Sequence, residues 1–548
     1  MHNELFTEFP SSKPAIHVPN WALILLFIAY ALPANIGHAP WRGDDALHIG
    51  VAFSMILDGT WLTPQIAGQP FFDWPPLTYW LGAVSGKLFG WLLPLHDAIR
   101  LTNVAMLAIM ITCLRHVARD LYGRESASAA AMLALGSVGL LVHAHEMQPL
   151  ITFSAALSGV FYGLVQMRQP SLRASLITGI ATGACFLSAG LSGLAASLPL
   201  WLVLPLSEPT LRNQKFLKQM LIALIPAILL SAVWPLLLAI FSPDFLAAWW
   251  QSELGAIMPH ASHLERSKDF ANLVGWFTWP LWPLVLWSLW RRRGGLCAFG
   301  HAIPLSSVLL CFLMATSAGS MRPANLVPLL LPLIVIAAGE LCRLRRGAAN
   351  AFDWFGVITF SMLGVALWLA WLAMNFGWPG PMARNILRLL PGFHPSWTWY
   401  QLLIALTLSV AWLLALIKLP FFQLRGAVHW AIGITLTWGL ATTLCFSWFD
   451  YNKNYEPVSA AIASAIKRQG TEGCVSSLDV GDSQRAALFY FDNLRIAPRT
   501  TDCSLKLAYA TGRNALPEAP AGWETAWRME RGSGRLGERF AIYRRSSN

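Results

Sequence analysis

Apolar runs long enough to cross a hydrocarbon core of ~30 Å recur along most of the chain. They fall near 20–37, 99–117, 127–145, 149–167, 174–188, 191–206, 219–242, 272–290, 299–316, 324–341, 354–375, 401–417 and 427–447, and predict about thirteen transmembrane helices. From Phe449 the pattern changes: charged residues return and apolar runs shorten, so 449–548 reads as a soluble module. Within it VSAAIASAIKRQ (458–469) has helical periodicity, while CVSSLDV, AALFYF and RFAIYRR read as short strands of a small α/β domain. The expected organisation is a polytopic all-α membrane domain over 1–448 followed by an α/β domain over 449–548.

Orientation follows from the connections, since cytoplasmic ones collect Lys and Arg. Alternate connections hold Arg115/Arg119/Arg124, Arg168/Arg173, Arg212/Lys215/Lys218, Arg291/Arg292/Arg293, Arg343/Arg345/Arg346 and Lys418/Arg425. Those sixteen cations meet only five acids (Asp120, Glu125, Glu208, Glu340, Asp353), an excess equal to the whole chain's +11. The basic balance is thus topological and does not point to nucleic acid. The polar head 1–20 has neither a basic start nor a small-residue cleavage site, so the first run reads as an uncleaved anchor with a cytoplasmic N-terminus. LTYWLGAVSGKLFGWLLPL (77–95) is apolar enough to cross, but a crossing there would move every later Arg-rich connection outside. It is read instead as an amphipathic helix in the outer interface, within one long external loop over 38–98. An odd number of crossings then puts 449–548 outside.

Composition agrees: 55% of residues are hydrophobic and 12% charged, against roughly 25% charged in soluble domains. Of eight cysteines, six lie in or beside membrane runs and serve as small apolar fillers. Cys474 and Cys503 lie in the external module, where an oxidising compartment allows a disulfide; two separate free thiols are the alternative.

Candidate chemistry gathers in the first external loop, which opens HAPWRGDDALHIG. Adjacent acids Asp44 and Asp45 at a membrane face cost desolvation and mutual repulsion unless something uses them. They read equally as a solvated cap opening the following helix. Asp73 stands before Trp74-Pro75-Pro76, either as a functional acid or as a cap of the interfacial helix. Farther along, WWQSELGAIMPHASHLERSKD carries His260, His263 and Glu265, which with Asp73 are weak candidates for a divalent metal; a solvated surface helix explains them as well.

The order DD, then a helix, then DGTWLTPQIAGQPFFDWPPLTYWLGAVSGKLFG resembles the first periplasmic loop of GT-C class lipid-linked-sugar glycosyltransferases. The aminoarabinose transferases that modify lipid A are most similar, and the protein O-mannosyltransferases more distant. The matching residues are Asp44-Asp45, Gly59-Thr60-Trp61 with Pro64, Gly68 and Phe72, and Asp73-Trp74-Pro75. Arg100, HEMQPLITF (145–153) and SAGSMRPANLVPLLLPLIVIAAG (317–339) also resemble family positions. The chain departs from the family at Trp74, where a lysine is frequent, at Gln148, where an aspartate is frequent, and at Ala189-Gly190, where a Lys-Gly pair is frequent. The histidine expected after Glu253 is Leu254. These changes remove an acid and cations near a lipid phosphate and sugar, and imply a different donor sugar or acceptor.

The resemblance implies a bacterial inner-membrane enzyme that inverts the sugar while moving it from a polyprenyl phosphate to a lipid, glycan or protein acceptor on the periplasmic side. It assigns catalysis to Asp44, with Asp45 second; donor-phosphate binding to Arg100, Arg322 and Lys87; and substrate contacts to Asp73 and Glu146. A transporter and a degenerate, non-catalytic GT-C scaffold are the rival readings. No inverted repeat is apparent, and the acids gather in an external loop, which argues against transport.

Overall fold

The structure is a computed structural model that describes residues 18–257, 267–291, 293, 299–317, 322–469 and 474–546. Residues 1–17 of the predicted polar head and the candidates His260, His263 and Glu265 lie outside the described residues.

Among the described residues eight helices are long and apolar enough to cross a membrane, and the Arg425–Leu444 and Phe446–Lys453 helices, bent by 71°, make a ninth. Pro149–Gln166 and Val327–Leu341 lie at the centre of the bundle, with nearly every residue buried. The predicted run 20–37 is helical only over Asn20–Ala31, and 127–145 is divided between Arg124–Leu135 and Val138–His143. The two runs predicted over 174–188 and 191–206 lie in a single assigned helix, Leu172–Ser207, whose backbone breaks at Ala189 and Gly190. The break is a reversal. Trp201 donates its indole N–H to Thr182 Oγ1 at 3.2 Å, whereas nineteen residues of straight helix span roughly 28 Å. Gly190, at φ +59, supplies the left-handed turn.

The 77–95 segment forms the helix Leu77–Phe89. At thirteen residues it is about 20 Å long, too short to cross. It buries Thr78, Tyr79, Gly82, Ala83 and Gly86 on one face and leaves Val84, Leu88 and Phe89 exposed.

Past the last bend comes an α/β unit. Its five strands run in the order Ile496–Ala497, Val475–Leu478, Leu505–Thr511, Glu538–Arg545, Trp523–Arg531. The first three are parallel and the last two join antiparallel. Cys474 and Cys503 are joined by a disulfide beside the parallel pair. The helix expected over 458–469 is Glu456–Arg468. The strand expected over AALFYF is instead part of a helix, Asp482–Asp492. Short apolar runs do not distinguish the two by period, and this one is apolar on two sides because it is buried on two sides. Leu488 packs into the α/β core, and Ala486 and Phe489 into a second core formed with Leu47, Val51, Met55 and Tyr79 of the first loop.

Candidate active site

The first loop turns at Gly43, φ +104, and starts the helix Asp44–Asp58. Both acids fall in its first turn, and neither caps it. Consecutive positions on a helix point about 100° apart, so the pair divides.

Asp45 points inward and is fully buried. It takes Arg100 in a bidentate pair, Nε to Oδ1 at 2.9 Å and Nη2 to Oδ2 at 2.7 Å. It also accepts the backbone N–H groups of Trp41 and Met147, each at 3.1 Å. Burial alone would raise its carboxyl, but Arg100 holds it down at about 2. The other Arg100 donors reach the His38 and Ala39 carbonyls and Asp97 Oδ1, so all five N–H groups of a guanidinium are engaged. This corrects the expectation for Arg100: with no exposed surface and no spare donor, it has nothing to offer a lipid phosphate. Asp45 is likewise saturated, and its geometry is that of a strut tying the first loop to the Leu95–Tyr122 helix.

Asp44 points the other way and keeps 27% of its side chain open to solvent. Gln148 Nε2 donates to its Oδ2 at 3.0 Å, and Arg322 Nη1 stands 4.0 Å from its Oδ1. Arg322 precedes the short turn Pro323–Leu326 that leads into the central Val327–Leu341 helix, and half of its side chain is exposed. Below Asp44, one turn along the same helix face, His48 Nδ1 meets the Tyr79 hydroxyl at 2.8 Å, both groups buried. Burial drives His48 down to about 4, so the ring is neutral at physiological pH.

Two more acids border this group. Asp73 sits at the rim with an accessible side chain. Crowding by surrounding atoms and then the charge of Asp482 raise its carboxyl, with Arg322 opposing. It does not cap the following helix. Glu146, in the turn before Pro149–Gln166, is pushed by burial to about 7, and Lys453 Nζ lies 3.7 Å from its Oε1. Lys87 is elsewhere: exposed at the end of the interfacial helix, it lies over the Trp61 ring at 5.0 Å.

The structure therefore brings together Asp44, Asp73, Glu146 and Arg322, puts Asp45 and Arg100 beneath them, and separates Lys87. Among the described residues no three His, Cys, Asp or Glu side chains form a metal-holding group. His48, Tyr79, Gln148 and Lys453 were not singled out as site residues from the sequence. His48 was within reach, because position i+4 shares a helix face with Asp44. Lys453 was not, since it lies 409 positions from Asp44 and meets the site only through the tertiary fold.

Solved structures with this architecture define the class. ArnT from Cupriavidus metallidurans superimposes in the apo state with a TM-score of 0.62 at 16% identity, and bound to undecaprenyl phosphate with 0.64 at 17%; each covers 95% of this chain and 96% of that one. The fold is that of a GT-C class multi-pass membrane protein. Within that class, residues 73–235 match the family described as dolichyl-phosphate-mannose-protein mannosyltransferase. The chain is also 25% identical over 371 residues to an undecaprenyl phosphate-alpha-4-amino-4-deoxy-L-arabinose arabinosyl transferase of Pseudomonas paraeruginosa, covering 63% of this chain and 64% of the relative. The corresponding enzyme of Yersinia enterocolitica is 26% identical over 386 residues, 66% of each chain. The matched region is thus just under two thirds of these relatives' length.

Proposed function

We propose that this protein is an inverting glycosyltransferase that moves a sugar from a polyprenyl phosphate to an acceptor at the periplasmic face of a bacterial inner membrane. One observation carries the reading: Asp44 is a partly exposed carboxylate, held by Gln148, with the open guanidinium of Arg322 4.0 Å away. A carboxylate so placed can take or orient the proton of an acceptor hydroxyl. A cation beside it can neutralise the phosphate that leaves. Asp73 and Glu146 flank the same space and suit contacts to sugar hydroxyls or an amine. Asp45 and Arg100 hold the loop in place and do not touch substrate.

The topology belongs to the same proposal. Eight long helices and the bent pair become thirteen crossings when Leu172–Ser207 is counted as two and the shorter helices near 20–37, 127–145 and 272–290 are added. The N-terminus is then cytoplasmic, residues 1–448 form the membrane domain, and 449–548 form a periplasmic domain.

The test is transfer by inner-membrane vesicles given a panel of undecaprenyl-phosphate-linked sugars, the aminoarabinose form included. Asp44→Asn is expected to lower turnover roughly 10²–10⁴-fold with donor binding kept. Arg322→Ala should weaken donor binding as well as turnover, because a phosphate is contacted before and during transfer. Full transfer by Asp44→Asn would remove this acid from the chemistry.

A further inference from the structure

The three residues before Asp44 are gripped by the C-terminal α/β unit. Trp41 donates its indole N–H to Asp450 Oδ1 at 3.1 Å and bridges the backbone of Asn454. Arg42 gives its backbone N–H to the Lys453 carbonyl at 2.9 Å and its guanidinium to Glu538 at 3.0 Å. The Ser483 hydroxyl holds Gly43 from both sides, accepting its N–H and donating to its C=O, each at 2.8 Å. Glu538 is buried and also receives Arg531 Nε at 2.8 Å and the hydroxyls of Tyr455 and Tyr509. Arg531 ties the same point to the Asn452 and Asn454 carbonyls.

The geometry points to the α/β unit as a positioning element of the transfer site, in which Ser483 and Glu538 clamp Trp41-Arg42-Gly43 and so aim Asp44. The inference rests on the reading of Asp44 as the catalytic carboxylate. Gly43 immediately precedes Asp44 and has a positive φ; its C=O also accepts the Leu47 N–H at 3.1 Å, but its N–H goes to Ser483, so loss of the serine frees the outer side of this residue. Asp45 anchors the inner side of the helix start to Arg100 and Gln148 holds the carboxylate end of Asp44, so the clamp bears on the outer side of the helix start, the backbone from which Asp44 projects. Packing alone would not need a serine hydroxyl bonded to both the N–H and the C=O of a single glycine.

Four variants of the full chain in vesicles test this: Asp44→Asn, Ser483→Ala, Ser483→Thr and Glu538→Gln. The donor is whichever undecaprenyl-phosphate sugar of the panel the wild type uses, and amide hydrogen exchange of residues 43–47 is followed in parallel. Ser483→Ala is expected to lower kcat roughly tenfold with little change in donor KM, since misplacing a reacting group is felt in turnover. Exchange at 43–47 should rise while that of the Asp482–Asp492 helix holds. Ser483→Thr keeps the hydroxyl and should restore both. Glu538→Gln should reproduce the kcat loss, and if it fails to fold, the serine pair still decides. If Asp44→Asn abolishes transfer while Ser483→Ala keeps wild-type kcat, the clamp has no part in transfer and the inference falls alone. If Asp44→Asn retains transfer, the reading of the site falls and takes the inference with it.

Discussion

Asp44 and Asp45 have the same chemistry and adjacent positions, yet only Asp44 keeps part of its side chain open to solvent, and the difference is the direction of one helical residue. A buried pair such as Asp45–Arg100 is poor evidence of net stabilisation, but removing either partner strands a charge at a cost of about 3–5 kcal/mol. Loss of activity on changing Asp45 or Arg100 would therefore report on the loop and not on the chemistry. Glu146 offers a cleaner reading. Its carboxyl is raised to about 7 by burial, with Lys453 and Arg100 lowering it and Asp45 and Asp44 raising it. Between the ordinary carboxylate range and about 7 the native protein keeps a proton that the unfolded chain has released, so this group lowers stability as pH rises through that window. Below the window it contributes nothing, and above it the loss is complete. Glu146→Gln should consequently gain more in Tm over wild type at pH 8 than at pH 5 in detergent-purified protein. An equal gain at both values would show that the group titrates normally. The residues could be singled out in the sequence, because DD, DWP and RP are short local motifs, but what each acid faces is set by distant parts of the chain. That Arg100 is spent on Asp45 was not legible there, because hydrogen-bond saturation is a property of the packed site.

Elements were legible where a single environment acted on them. The long lipid-facing helices show as apolar runs, and Leu77–Phe89 could be kept out of the crossings by charge bookkeeping. The Asp482–Asp492 helix was misread because two cores claim it, which erases the polar face that would have revealed a helical period. Its contact with Asp44–Asp58 is close: a Cβ added at Gly50 would stand 2.6 Å from Ala486 Cβ and 3.1 Å from its Cα. The Ala486 backbone cannot yield cheaply, so Gly50→Ala should cost about 1–3 kcal/mol. It should also loosen the docking of the α/β unit on the first loop. Moving the methyl across the interface in Gly50→Ala/Ala486→Gly should recover most of that loss. Thermal unfolding in detergent measures both, and a double variant as unstable as the two single losses combined would mean that the helices do not meet there.

At the scale of the whole molecule, the first loop and the C-terminal unit interlock across some four hundred residues: Arg495 reaches Asp58 at 2.7 Å, and Gln69 reaches the Ile496 carbonyl. No local pattern in the chain announces such pairings, whereas the side of the membrane on which they occur was open to inference from Lys and Arg placement. The two must agree, because a loop and a module in contact occupy the same side. If the Arg-rich connections 115–124, 168–173, 212–218, 291–293, 343–346 and 418–425 are cytoplasmic, the turns holding Glu146 and Arg322 are external. So are the first loop and everything after the last bend. A bridge between Cys474 and Cys503 also requires an oxidising compartment. Reporter fusions after residue 448 should then report the periplasm, fusions after 345 the cytoplasm, and both cysteines should resist alkylation until reductant is added. A cytoplasmic signal after 448 would set the α/β unit and the first loop inside. Asp44 and Arg322 would then open to the cytoplasm, and the acceptor would have to be sought there.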